Sequence, residues 1–149
     1  MIIEYKKVRD GAQVPVRSNP SDAGLDVFAC LDEAVSLAPM QSLIIPTGLK
    51  FGIPHGYMLQ VMNRSSVAAK RGLVVGAHVI DSGYDGEVFI NIHNISNQHQ
   101  VLRDGMKIAQ LVMIPVVSFR PYEIGEDALY QKPITISDRG DGALGSTGG

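Results

Sequence analysis

The sequence has a single cysteine, Cys30, and no tryptophan. One thiol excludes an intrachain disulfide framework and any metal site built from several cysteines, and it suits a reducing compartment. Long apolar runs are missing as well. None approaches the roughly 20 residues that a membrane-spanning helix requires, and residues 1–7 lack the apolar core of a signal peptide. A cytoplasmic chain with no membrane partner is therefore expected. Positive charge is not in excess either: 13 Lys and Arg stand against 15 Asp and Glu, for a net charge of −2. That balance excludes a sequence-independent nucleic-acid binder, which needs a basic surface. An anionic ligand would have to be met by local basic residues or by a metal. The four histidines, His55, His78, His93 and His99, show no His-x-x-x-His spacing, so no zinc site is expected.

What is present is a chain of 149 residues, 45% hydrophobic and 19% charged, enough for one globular domain with a core. Short β-like runs fall at residues 1–8, 23–30, 35–37, 42–46, 49–53, 57–62, 79–80, 86–93, 101–102, 108–115 and 116–122. Gly and Pro punctuate them every roughly 8–12 residues, the pattern of an all-β sandwich or barrel. The only helix signal is Ser65 to Arg71, with two serines suited to capping its start and Gly72 to stop it. Residues 138–149 are glycine-rich with almost nothing to bury, so a β domain over 1–137 and a flexible arm over 138–149 are expected. That arm is either a disordered terminus or a phosphate-binding strap carrying Arg139. It is not a P-loop, since no Gly-Lys-Ser/Thr follows its glycines.

Five polar clusters interrupt the apolar pattern. Residues 78–87, His-Val-Ile-Asp-Ser-Gly-Tyr-Asp-Gly-Glu, predict a tight hairpin with Asp81 just before the turn and Tyr84 just after it. A carboxylate beside an aromatic ring can place a water and wall off a planar ligand; the same residues also make an ordinary solvated turn. Arg64-Ser65-Ser66 at a helix start offers a guanidinium, hydroxyls and free N–H groups to an anion, or simply caps the helix. Asp26 interrupts an apolar strand. Gln110, within Ile108-Ala109-Gln110-Leu111-Val112, either finds buried partners or faces solvent. Arg139 opens the arm.

In this order the clusters resemble the five motifs of the trimeric dUTPases, which hydrolyse dUTP to dUMP and pyrophosphate. The matching segments are Ala23-Gly24-Leu25-Asp26-Val27, Asn63-Arg64-Ser65-Ser66-Val67-Ala68 and Val79-Ile80-Asp81-Ser82-Gly83-Tyr84-Asp85-Gly86-Glu87. Two more follow: Asp104-Gly105-Met106-Lys107-Ile108-Ala109-Gln110-Leu111-Val112, and the arm from Arg139 to Gly148. The resemblance implies a jelly-roll protomer in a homotrimer with active sites at subunit interfaces. It implies Asp81 as the general base, Tyr84 under the deoxyribose, and uracil held by the backbone of Val79 and Ile80 with Phe89 opposite. Arg64, Ser65 and Ser66 would bind phosphates from a neighbouring subunit. Asp26 and Gln110 would orient waters around Mg²⁺ and the phosphates, with Asp26 reaching the metal only through water. Arg139, Leu144, Gly145, Ser146 and Thr147 would close over the nucleotide.

Two positions depart from the family pattern. Leu144 stands where a Phe usually stacks on uracil, which implies a weaker lock, since stacking is worth roughly 1–3 kcal/mol per base. His78 stands where a Gly is usual, a feature shared with the dCTP deaminases of the same fold. Those enzymes, however, carry a catalytic Glu at the position of Asn91, and without it their proton shuttle is missing. Deamination is the alternative activity; a non-enzymatic jelly-roll binding or regulatory protein is the alternative class.

Overall fold

The computed structural model describes residues 1–125, 129 and 148. Among these, the elements in chain order are β1 (Glu4–Lys7), β2 (Leu25–Phe28), β3 (Val35–Leu37), β4 (Ser42–Pro46), β5 (Leu49–Gly52) and β6 (Tyr57–Met62), then α1 (Ser65–Arg71), β7 (Leu73–Val75), β8 (Val79–Ile80), β9 (Phe89–Asn94), β10 (Gln100–Leu102) and β11 (Lys107–Pro115). The expected all-β class with one short helix is what forms. The chain divides into two units, Met1–Ser118 and Phe119–Gly149, and every element lies in the first. The expected boundary at 137/138 falls outside the described residues.

Every ladder is antiparallel. One sheet runs β2-β11-β6-β8 and a second β4-β9-β7, with smaller ladders β1-β5 and β3-β10. Period-two alternation decides which side chains go inside. β6 buries Leu59 and Val61, and β9 buries Ile90 and Ile92 between half-exposed neighbours. These side chains join Val27, Ile45, Leu73 and Leu111 in one apolar cluster, in keeping with a sandwich or jelly roll. Burial of each such Leu or Ile stabilises the fold by roughly 1.5–3 kcal/mol.

The helix spans the predicted residues, but its start differs. Arg64, in extended conformation, is the N-cap and makes no side-chain capping bond. Neither serine therefore serves as the cap, and both remain exposed in the first turn. Gly72 ends the helix at φ 63°, with its N–H reaching back to Val67 and Ala68.

Two expectations are corrected. Residues 79–92 are not a hairpin: β8 pairs with β6, while β9 pairs with β4 and β7. The loop between them crosses from one sheet to the other. Residues 116–122 form no strand; Pro115 closes β11, Pro121 lacks a donor, and Val117, Phe119 and Tyr122 lie more than four-fifths exposed. One strand escaped the sequence pattern, β7, which has only three residues between Gly72 and Gly76.

Asn94, at the end of β9, is 1% exposed. Its amide donates to the carbonyls of Leu37 (2.9 Å) and Gln98 (2.8 Å), and its Oδ1 accepts from the Ser96 N–H (3.0 Å) and hydroxyl (2.7 Å). Asn94→Ala orphans the buried Leu37 carbonyl and should cost about 2–4 kcal/mol by denaturant unfolding. A loss below the error of that measurement would show that water replaces the amide.

Candidate active site

Val79, Ile80, Asp81, Tyr84, Glu87, Val88 and Phe89 line a cleft of about 200 Å³. Ile80 is placed by its pairing with Leu59, and Phe89 by its pairing with Pro46. The cleft is thus flanked by a strand from each sheet. Its floor is the crossing loop, tightened by a turn in which the Tyr84 N–H donates to the Asp81 carbonyl at 3.1 Å. The Tyr84 hydroxyl donates to the Glu87 carbonyl at 2.7 Å. The ring lies against Gly86, where a Cβ would come within 2.6 Å of Tyr84 Cζ, so only glycine leaves the ring this position. Asp85, next in the loop but not part of the cleft lining, is ion-paired with Lys50, and that hydrogen bond holds its carboxyl below the ordinary value.

Carboxylates elsewhere in the site are neutralised. Asp26 on β2 accepts from Arg64 Nε at 2.8 Å and the Ser18 hydroxyl at 3.1 Å, and Lys107 Nζ lies at 3.1 Å. Burial pushes this carboxyl up, but the hydrogen bonds from Lys107 and Arg64 outweigh it and leave the group below its ordinary 3.8. Because the folded value is depressed, the stability this cluster contributes is complete above 3.8 and is lost as pH falls through the folded value. The stability difference between the native chain and Asp26→Asn should therefore be largest near neutrality and shrink in acid. A pH-independent difference in denaturant unfolding would contradict that linkage.

Gln110 on β11 sits opposite Asp26 on β2 and Met62 on β6. Its Nε2 donates to the Asn63 carbonyl at 2.9 Å. On its other flank a Cβ on Gly24 would come within 2.6 Å of its Oε1. Gln110 is half-buried on the strand face opposite the buried Ala109 and Leu111, where its amide hydrogen bond to Asn63 is solvent-exposed.

The described residues hold no cluster of three or more His, Cys, Asp or Glu able to cage a metal. Mg²⁺ is usually held by one or two carboxylates together with substrate phosphates and waters. Asp26 Oδ1 has one partner, Arg64, and Oδ2 has Lys107 and Ser18. Its remaining acceptor capacity fits an outer role through water, the one implied by the sequence resemblance.

The structure therefore assembles two groups. Asp81, Tyr84, Phe89, Val79 and Ile80 share the cleft; Asp26, Arg64 and Gln110 share the other end of the sheet that includes β8. Ser65 and Ser66 stand exposed at the start of α1. Arg139, Leu144, Gly145, Ser146 and Thr147 lie outside the described residues. Lys107, within the segment Asp104–Val112, and Ser18, which nothing local in the sequence marks, complete the Asp26 cluster. His78 extends the β6–β8 ladder, its carbonyl accepting from Val61 N–H at 2.8 Å and its Nδ1 lying 3.1 Å from the Val61 carbonyl. Asn91 Oδ1 lies 2.7 Å from His93 Nε2.

A model of the dUTPase family matches residues 10–148. The deoxyuridine 5'-triphosphate nucleotidohydrolase of Wolbachia pipientis subsp. Culex pipiens is 38% identical over 150 residues, covering 98% of this chain and 95% of that protein. Among solved structures, a mutant dUTPase of Staphylococcus bacteriophage 80alpha with dUpNHpp superimposes with a TM-score of 0.85 at 27% identity, over 99% of both chains. A mutant dUTPase from phage phi11 of S. aureus, described with a structural Mg(II) ion, gives 0.78 at 27% identity over 85% of this chain and 98% of that one.

Proposed function

The chain belongs to the dUTPase family, and on that premise we propose that it hydrolyses dUTP to dUMP and pyrophosphate with Asp81 as the general base. One observation carries the assignment. Of the two carboxylates that line the cleft, Glu87 is ion-paired with Arg9, whereas Asp81, exposed there, has no ion pair among the described residues. A general base must be free to take a proton within hydrogen-bond reach of the nucleophile.

In this reading Asp81 removes a proton from a water that attacks the α-phosphorus, and the bond to the bridging oxygen breaks to release pyrophosphate. Tyr84 forms the face under the deoxyribose. The backbone of Val79 and Ile80, with Phe89 opposite, holds uracil. Arg64, Ser65 and Ser66 bind the phosphates, a role supported by a guanidinium and two hydroxyls that the helix does not use for capping. Asp26 and Gln110 orient waters, and Arg139, Leu144, Gly145, Ser146 and Thr147 close over the triphosphate. Mg²⁺, when bound, neutralises charge on the phosphates. The assembly is a homotrimer in which Arg64, Ser65 and Ser66 serve a neighbouring subunit's cleft. The lone buried thiol of Cys30 suits the reducing cytoplasm.

A pyrophosphate-release assay over dUTP, dCTP, dTTP and UTP, with and without EDTA, tests this. The expected result is Mg²⁺-dependent release from dUTP alone. Ammonia from dCTP would instead assign the chain to deamination, and no release from any nucleotide would favour a non-enzymatic role.

A further inference from the structure

We propose that Glu87 is the positioning residue for sugar selection: its side-chain anchor fixes the carbonyl that holds the Tyr84 ring. The proposal rests on the dUTPase assignment above and concerns a residue that meets no reacting atom.

The Glu87 side chain is 12% exposed, and its Oε1 takes two donors from the body of the domain. Arg9 Nε donates at 2.6 Å and the Gly48 N–H at 2.8 Å. The second donor belongs to a turn that only glycine can form here: Gly48 has φ +70°, and a Cβ would meet Ala12 Cβ at 2.6 Å. The same turn grips the next residue. The Thr47 N–H and hydroxyl both donate to the Val88 carbonyl, at 3.2 and 2.6 Å, and the Val88 N–H donates to Leu49 at 2.8 Å. Residues 87–88 are thereby fastened to the 47–49 turn through both side chain and backbone.

From this fixed point the crossing loop is hung. The Glu87 carbonyl accepts the Tyr84 hydroxyl at 2.7 Å, and the Tyr84 N–H in turn holds the Asp81 carbonyl. Tyr84 is 45% exposed, so packing alone does not set the attitude of its ring. Arg9 also lies 5.9 Å over the Phe89 ring, bracing the opposite wall of the cleft. Discriminating a single 2′-oxygen demands sub-ångström placement of the covering ring, and a 1 Å displacement can cost about 10²-fold. Glu87 provides that placement at one remove.

The test compares kcat/KM for dUTP and UTP in the native chain, Glu87→Ala, Glu87→Gln and Arg9→Met, with thermal unfolding in parallel. Glu87→Ala should lower the dUTP/UTP ratio about tenfold, chiefly through a higher KM for dUTP and faster use of UTP. Glu87→Gln keeps an oxygen acceptor for both donors and should hold the ratio within about twofold. Arg9→Met leaves the Gly48 contact and should lower the ratio about threefold. Arg9 is half-exposed, so its variant also serves should Glu87→Ala fail to fold. Variants that lose thermal stability while keeping the native ratio would make Glu87 a structural clip and overturn the proposal. A native chain that hydrolyses neither nucleotide, or both equally, would instead refute the underlying assignment and this proposal with it.

Discussion

Asp81→Asn should lower kcat for dUTP by about 10²–10⁴-fold while leaving the fold intact. Asparagine keeps the shape of the side chain but cannot accept the proton that the attacking water must lose. Because Asp81 is exposed and has no ion pair among the described residues, its loss should change stability by no more than about 0.5 kcal/mol. KM should move only a few-fold, since the phosphates are met elsewhere. Asp85→Asn is the matched control. That carboxylate lies in the same loop but is 87% exposed and held by Lys50, so its removal should leave the rate near native. Pyrophosphate release under single-turnover conditions reads both variants. A near-native rate for Asp81→Asn would reject Asp81 as the base, and equal losses in the two variants would point to loop charge rather than proton transfer.

Arg64→Ala should reduce kcat/KM for dUTP by about 10–100-fold, the equivalent of one or two charge-assisted hydrogen bonds to a phosphate. It also strips Asp26 of its shortest cationic contact. Lys107 remains at 3.1 Å, so the stability cost should be about 1–2 kcal/mol rather than that of a fully orphaned buried charge. Arg64→Lys restores charge without the planar fork and should recover only part of the activity. Measuring kcat/KM beside denaturant unfolding separates the two effects. Native kcat/KM in Arg64→Ala would remove the guanidinium from the phosphate site.

Local chemistry made some of this architecture legible and concealed the rest. The helix at Ser65–Arg71 was readable because its stop, Gly72, takes the left-handed conformation that such a residue signals. The alternating runs in β6 and β9 were readable because each buries one face. Partner choice was not. Val79 and Ile80, followed by turn residues and another β-run, satisfy every local rule for a hairpin, yet β8 pairs with β6. Turn residues are common to hairpins and crossings, and only the competition among all strands distinguishes them. The same limit hid the partners of Asp26. Lys107 is brought to it by the β2–β11 pairing, and no spacing in the sequence announces that one acid will carry two cations. The role of Glu87 is hidden for a related reason: its partner Arg9 lies 78 positions away.

The crossing loop has a bearing on mutational tolerance. Because Ile80 leans on Leu59 in one sheet while Phe89 precedes the wholly buried Ile90 in the other, the width of the cleft is set by how closely the two sheets are spaced. Interior volume and ligand fit are then one variable seen from two sides. On the proposed assignment, a modest change of side-chain size at Leu59 or Ile90, neither of which lines the cleft, should alter how tightly a nucleotide fits before it melts the domain.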